Sequence, residues 1–293
     1  MRNRLPEWLQ NKSPLTAEAN QVREVLTGLN LNTVCHSARC PNRGQCYAEG
    51  TATFLILGNT CTRNCRFCSV AKGVVQPLDF NEPERVVTAV VRLKLEHAVI
   101  TSVTRDDLPD GGAFQFAKTI KLIKENLPGV SVEVLTPDFK GNPESIRLVV
   151  EAGPDIYNHN LETVPRLYDQ IRPEAYYRRS LELLQLVKGY DRKLLTKSGI
   201  MVGLGETGAE VETVMDDLRE VACDILTIGQ YLAPTRAHLP VVQYVEPEIF
   251  KQWETVALRK GFKYVASGPL VRSSFHAGQI LNQAYYPPDS GDL

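Results

Sequence analysis

A chain of 293 residues, 43% hydrophobic and 23% charged, holds enough apolar material for one large core with appendages and is too apolar to be disordered. Its 33 basic and 34 acidic residues nearly cancel, so no overall field draws it to nucleic acid or an anionic membrane, and neither is expected as a partner. The N-terminus lacks the apolar run of a signal peptide, and no later segment approaches the roughly 18 apolar residues of a membrane span, so a monomeric, cytoplasmic protein is expected.

Residues 1–50 are polar and broken, with one predicted helix over 15–29 capped by Thr16. From there apolar strand patterns alternate with helical ones. Strands are predicted over 53–57, 98–103, 131–135, 155–158, 198–204 and 225–229. Helices are predicted over 82–95, 113–126, 143–151, 164–171, 176–189, 209–222 and 247–260. Six strand-helix units require right-handed crossovers and a parallel sheet. The repeating part, roughly 210 residues, is short of the about 250 that a full eight-unit barrel occupies. The expected fold class is therefore α/β, a partial (β/α)6 TIM-like barrel over 51–262, with an N-terminal extension over 1–50 and a C-terminal extension over 263–293. Residues 265–271 and the tail after them read as a small addition.

Seven cysteines are present, six of them between Cys35 and Cys68. In a reducing compartment such a group reads as metal ligands or catalysts rather than disulfides. Cys61, Cys65 and Cys68 follow the first strand directly. Their spacing could stack them on one helix face as core residues, but Gly, Asn, Thr and Arg crowd the segment and read as a loop. A loop at the C-terminal end of a barrel strand is where such folds carry chemistry. Three thiolates there can bind three irons of a four-iron cube and leave the fourth open, whereas a structural zinc wants a fourth ligand. The remaining cysteine, Cys223, ends a helix and reads as a buried core thiol.

Cys35, Cys40 and Cys46 cannot share a helix face, because five residues turn the second about 140° from the first. Pro41 and Gly44 make the segment a wrapping loop. Three more thiolates imply a second cluster whose last ligand comes from elsewhere, with tandem zinc as the competing reading. A non-catalytic iron-sulfur electron carrier is a further alternative, although carriers saturate their clusters with four cysteines and this chain offers three twice.

The first of these patterns, with Phe67 before its last cysteine, resembles the signature of radical S-adenosylmethionine enzymes. The preceding triad, together with Arg272-Ser-Ser-Phe-His-Ala, narrows the resemblance to the lipoyl synthase family. Arg105-Asp-Asp-Leu-Pro-Asp-Gly-Gly, Tyr157-Asn-His-Asn-Leu-Glu-Thr, Thr196-Lys-Ser-Gly and Gly229-Gln-Tyr-Leu-Ala-Pro-Thr also fit. A biotin-synthase-like sulfur inserter is the enzymatic alternative, and the order of the two triads argues against it.

The resemblance implies two 4Fe-4S clusters and S-adenosyl-L-methionine as cofactors. The Cys61/Cys65/Cys68 cluster would chelate and cleave S-adenosylmethionine, and the resulting 5'-deoxyadenosyl radical would abstract hydrogen from C6 and then C8 of a protein-bound octanoyl chain. Sulfur would come from the second cluster, consumed in the reaction. That cluster's ligands would be Cys35, Cys40 and Cys46 from the N-terminal extension and Ser274 from the C-terminal one. The implied partners are an octanoylated lipoyl carrier domain, of a 2-oxoacid dehydrogenase E2 component or the glycine cleavage H protein, and a reductant such as ferredoxin or flavodoxin. Phe275 stands where the family usually has tyrosine, which removes a hydroxyl but no metal ligand.

By the same analogy Phe67, Asp106, Asn158, Glu162, Lys197 and Gln230, at loop starts or strand ends, are expected around S-adenosylmethionine. His159 and His238 are candidate pocket residues, His276 a candidate support for Ser274, and His36 a spectator beside its cysteine. The Arg63/Arg66 and Arg178/Arg179 pairs are candidates to dock an acidic carrier domain. Gly203-Leu-Gly-Glu-Thr-Gly208, with Asp224 downstream, formally satisfies the dinucleotide fingerprint, but it lies in the fifth unit and reads instead as backbone lining the barrel mouth.

Overall fold

The computed structural model describes residues 5–10, 16–49, 52–274 and 277–278. Phe275 and His276 lie outside these. Helix α1 (Ala17–Gly28) starts where expected, with Thr16 Oγ1 accepting from the Ala19 amide. A two-residue strand β1 (Asn32–Thr33) and two short helices, α2 (Val34–Ser37) and α3 (Arg43–Ala48), follow. The expected wrapping loop is thus largely helical. Cys35 sits on α2, Cys46 on α3, and Cys40 on the connection between them.

The barrel then runs β2 (Thr53–Ile56), the two-residue strands β3 (Thr60–Cys61) and β4 (Ala71–Lys72), α4 (Glu82–Arg92), β5 (His97–Ser102) and α5 (Ala113–Asn126). It continues with β6 (Ser131–Leu135), α6 (Pro143–Glu151), β7 (Ile156–Asn158), α7 (Tyr168–Ile171) and α8 (Tyr177–Tyr190). The last elements are β8 (Leu195–Val202), α9 (Gly208–Glu220), β9 (Ile225–Gln230), α10 (Pro247–Arg259) and β10 (Tyr264–Gly268).

The large sheet has the order β1-β2-β5-β6-β7-β8-β9-β10, and β1 and β10 do not pair. Every neighbour except β1 with β2 is parallel. An open, twisted parallel sheet with helices between its strands is the expected partial barrel. Its six strands are extended at one edge by β1, antiparallel, and at the other by β10, which takes the start of the presumed C-terminal addition into the sheet as a seventh parallel strand. β8 starts three residues earlier than the sequence pattern predicts, because Thr196 and Lys197, polar in type, are buried inside the sheet.

The strands are covered by apolar helix faces such as Val86, Ala89 and Val90 on α4 and Phe116, Ile120 and Ile123 on α5. Cys223 is a fully buried thiol in this core, as expected.

Candidate functional site

The Cys61/Cys65/Cys68 triad is placed by the turn that leaves β2. Leu57 takes a left-handed conformation, its N–H donates to Glu82 Oε2 (2.8 Å), and its carbonyl accepts from Arg105 (3.2 Å). The chain then enters β3, which pairs with β4 and so closes the cysteine segment into a loop. Cys61 Sγ receives the amides of Arg63 (3.4 Å) and Thr104 (3.3 Å). Such N–H donors to sulfur tune a metal cluster that the sulfur holds. Other elements pin the loop as well. Thr62 is bonded to the Thr104 carbonyl, the Arg66 amide to the Ile171 carbonyl at 2.9 Å, and the Asn64 amide to the Glu174 carboxylate. His238 Nε2 lies 3.2 Å from the Cys68 carbonyl.

Arg63, a docking candidate by sequence, is not at the surface. It is buried, bidentate to Asp106 (2.6 and 2.9 Å), and reaches Asp138 at 2.6 Å. Arg179 meets the other oxygen of Asp138 at 3.2 Å and stacks on Tyr176. Burial works to raise the Asp138 pKa, but the hydrogen bonds and charge of Arg63 outweigh it and hold the carboxyl well below the usual range. The cysteine loop is therefore bolted to the end of β6 by a charge cluster.

Arg172, which sequence reasoning missed, stands beside Cys65, where its charge works against the burial that raises the thiol's pKa. Its guanidinium also donates to the Asn160 and Leu161 carbonyls (2.9 and 3.2 Å) and to the Tyr168 hydroxyl (2.7 Å), while its Nε is buried with no partner among the described residues. Glu162 lies next to it with φ +69°, a left-handed conformation costly for a non-glycine residue and held by the Gly199 carbonyl and Met201 amide. Burial pushes the Glu162 carboxyl up, against the Arg172 charge. Asn158 is fully buried; its amide donates to Glu133 (3.1 Å) and its Oδ1 has no partner among the described residues. Phe67 packs on the edge of the core beside Cys68.

Three residues expected around S-adenosylmethionine have their polar atoms committed elsewhere. Asp106 is taken by Arg63. Lys197 is fully buried against both oxygens of Glu133, at 2.9 and 3.0 Å. Gln230 donates to the carbonyls of Val202, Tyr231 and Gln243 and accepts from the Val245 amide at 2.8 Å, which makes it a brace for the 231–245 connection. His159 is likewise a core residue, bridging the Thr136 carbonyl and the Ser180 hydroxyl. The glycine-rich segment also departs from expectation, since the amides of Gly203 and Leu204 are capped by Glu206.

The second triad lies at the opposite end of β2. A small cavity is lined by Cys35, Cys40, Cys46, Thr53, Arg272 and Ser274, among others. The serine reaches it from the far end of the chain and accepts a hydrogen bond from Thr53 Oγ1 at 2.9 Å. Burial pushes the Cys46 and Cys68 thiols up to about 12 and raises those of Cys35 and Cys65. Without a cation these groups stay protonated, and iron is the kind of positive charge that would convert them to thiolates. Among the described residues no three candidate ligands converge on one ion-sized point. The thiols and the serine hydroxyl around this cavity are donors of the kind that hold iron-sulfur clusters.

An open parallel sheet with a three-cysteine loop after its first barrel strand defines a radical S-adenosylmethionine enzyme, and the model of the radical SAM superfamily matches residues 55–218. Solved structures carry the same fold. Methylornithine synthase superposes with TM-score 0.53 at 15% identity, covering 94% of this chain and 88% of its own. Streptococcus suis SuiB bound to S-adenosylmethionine gives 0.58 at 10% identity, covering 77% and 53%. The model for the N-terminal domain of lipoyl synthase matches residues 1–40. A lipoyl synthase of Caldanaerobacter subterraneus subsp. tengcongensis is 61% identical over 281 residues, 96% of this chain and 98% of the relative. One of Rubrobacter xylanophilus is 55% identical over 279 residues, 95% and 87%. The chain belongs to the lipoyl synthase family.

Proposed function

We propose that this chain inserts two sulfur atoms, at C6 and C8, into an octanoyl group carried on a lipoyl carrier domain, with Cys61, Cys65 and Cys68 holding the radical-generating cluster and Cys35, Cys40, Cys46 and Ser274 the sacrificial one. The observation that carries this reading is the cavity in which three cysteines of the N-terminal segment meet Ser274. A hydroxyl oxygen is a weaker hold on iron than a thiolate, which suits a cluster that must be dismantled. When bound, the two clusters supply the electron that cleaves S-adenosylmethionine and the sulfur that is transferred.

The chain's own residues do the rest. Glu162, strained and half-buried beside Arg172, and the unpartnered Asn158 Oδ1 are the groups best placed to hold polar parts of S-adenosylmethionine. Asp106, Lys197 and Gln230 support that site from behind, through Arg63, Glu133 and the 231–245 connection. The cavity of the second triad lies at the start of β2 and the Cys61 loop leaves its far end, the strand itself being roughly 13 Å long at about 3.3 Å per residue. An acyl chain between them can meet both ends of the barrel without leaving it.

No helix among the described residues is long and apolar enough to cross a membrane. The compartment we infer is the cytoplasm, the state a monomer, and the reductant a ferredoxin or flavodoxin. The carriers inferred are 2-oxoacid dehydrogenase E2 or glycine cleavage H protein. The test is anaerobic reconstitution with S-adenosylmethionine, dithionite and an octanoylated carrier peptide, read by mass spectrometry for dithiolated product. S-adenosylmethionine cleavage without sulfur transfer would defeat the assignment.

A further inference from the structure

Asn160 occupies a place between the two triads that none of the functional assignments uses. Its carboxamide nitrogen donates to Glu162 Oε1 at 3.1 Å and to Ser273 Oγ at 2.8 Å. This is the orientation an ionised Glu162 requires, since a carboxylate only accepts. Both amide hydrogens are then used, and Oδ1 faces the interior, buried with no partner among the described residues.

The meeting is possible because residue 199 on β8 is glycine. A Cβ there would lie 2.9 Å from Asn160 Oδ1, 2.6 Å from Thr227 Oγ1 and 3.0 Å from Ser273 Oγ. The C-terminal segment is thus threaded against the barrel strands at a point where the missing side chain leaves just enough room. On one side of Asn160 stand Glu162 and Arg172, which donates to the Asn160 carbonyl at 2.9 Å and whose charge acts on Cys65. On the other, Ser273 immediately precedes Ser274. One buried side chain therefore spans from the wall of the radical site to the turn that delivers the auxiliary-site serine.

We propose that Asn160 is a positioning residue for sulfur transfer: by holding the Ser273–Ser274 turn against Glu162 it fixes the sulfur donor relative to the radical site. This rests on the reading of Ser274 as an auxiliary-cluster ligand. A turn released from Asn160 presents its serine less constantly to iron, so the iron held there escapes more readily and radicals are generated that meet no sulfur.

The test uses the full chain, reconstituted anaerobically, as wild type, Asn160→Ala, Ser273→Ala, the double variant and Ser274→Ala. Three quantities are read: iron per chain, the rate of iron release to a chelator, and 5'-deoxyadenosine formed per sulfur inserted into an octanoylated peptide. Asn160→Ala and Ser273→Ala should each bind the full iron complement, release part of it at least threefold faster, and raise the deoxyadenosine-to-sulfur ratio at least threefold. The double variant should be no worse than either single one, because both remove the same bond. Unchanged ratio and release in single variants of normal iron content overturn the proposal, as do effects that multiply in the double variant. If Asn160→Ala does not fold, Ser273→Ala carries the test alone. Fast release in Ser274→Ala but not in Ser273→Ala defeats the role of Asn160 and leaves the ligand assignment standing. Wild-type release in Ser274→Ala defeats the ligand assignment itself.

Discussion

Thr53 Oγ1 donates to Ser274 Oγ at 2.9 Å across 221 positions of sequence. Thr53 also lines the same cavity as Cys35. The first residue of β2 therefore holds the ligand candidate of one chain extension and lines the cavity reached by the other, and the barrel itself is the frame on which the second site is assembled.

From this arrangement Ser274→Cys is expected to retain a full iron complement and slow sulfur release. A thiolate binds iron more firmly than the hydroxyl oxygen and accepts the Thr53 hydrogen bond less well. Single-turnover mass spectrometry should show product formation at least tenfold slower than wild type. Wild-type kinetics would count against Ser274 as a functional ligand.

Asp138→Asn tests the bolt on the radical loop. Its side chain is fully buried between Arg63 and Arg179 and also accepts the Lys140 amide at 3.0 Å. The neutral amide leaves Arg63 with Asp106 alone as its charged partner, and breaking a buried pair costs about 3–5 kcal/mol. The surviving Asp106 contact places the expected loss near the lower figure. Denaturant unfolding under anaerobic conditions measures it, and iron bound by the Cys61/Cys65/Cys68 loop should fall in the same samples. A loss below about 1 kcal/mol would mean the cluster is not holding the loop.

The sequence made the barrel legible because parallel strands are written as short apolar runs between amphipathic helices, and several elements, such as α5 and β6, begin and end where the pattern says. It failed where tertiary partners override residue type. Lys197 hides the start of β8 because a lysine inside a sheet makes sense only beside Glu133. β10 was read as an addition because its partner, β9, lies across α10. The cysteine triads were legible from spacing and loop chemistry, and the meeting of Ser274 with one of them only through resemblance. Asp106 and Gln230 have the right type for a polar pocket, but Arg63 and four backbone groups consume them. Arg172 and Asn160 carried no local signal, since their importance comes from what the fold sets beside them.

Gln230→Leu should loosen the connection over residues 231–245. The change keeps volume but leaves the buried Val245 amide without its acceptor, at a cost of about 1–3 kcal/mol. Gly203, at φ +98°, lies under the same amide, and a Cβ there would strike both Gln230 Nε2 and the Gln243 carbonyl. Gly203→Ala should therefore reproduce the effect. Because the connection carries His238 to the Cys68 carbonyl, both variants should show faster amide hydrogen exchange over 231–245 and faster iron loss from the radical triad. Wild-type exchange in Gln230→Leu would show that the brace is redundant.

His159 sets an acid limit on the fold. Burial first, and the nearby Arg172 charge second, lower its pKa from 6.5 to about 4, so it is neutral in the folded protein at pH 7. A base whose folded pKa lies below its unfolded one binds more protons when unfolded. Its contribution is thus complete above about pH 6.5 and is lost as pH falls toward 4. Between pH 7 and pH 5 the loss should be about 2 kcal/mol from this group alone. His159→Gln keeps a side chain able to bond near Ser180 and cannot titrate, so its stability should fall less over that interval, by about the same 2 kcal/mol. Cluster loss in acid is common to both proteins and cancels in the comparison of urea midpoints. Parallel pH dependences would place the acid sensitivity elsewhere, with Asp138 the next group to test, since its depressed pKa makes the same demand at lower pH.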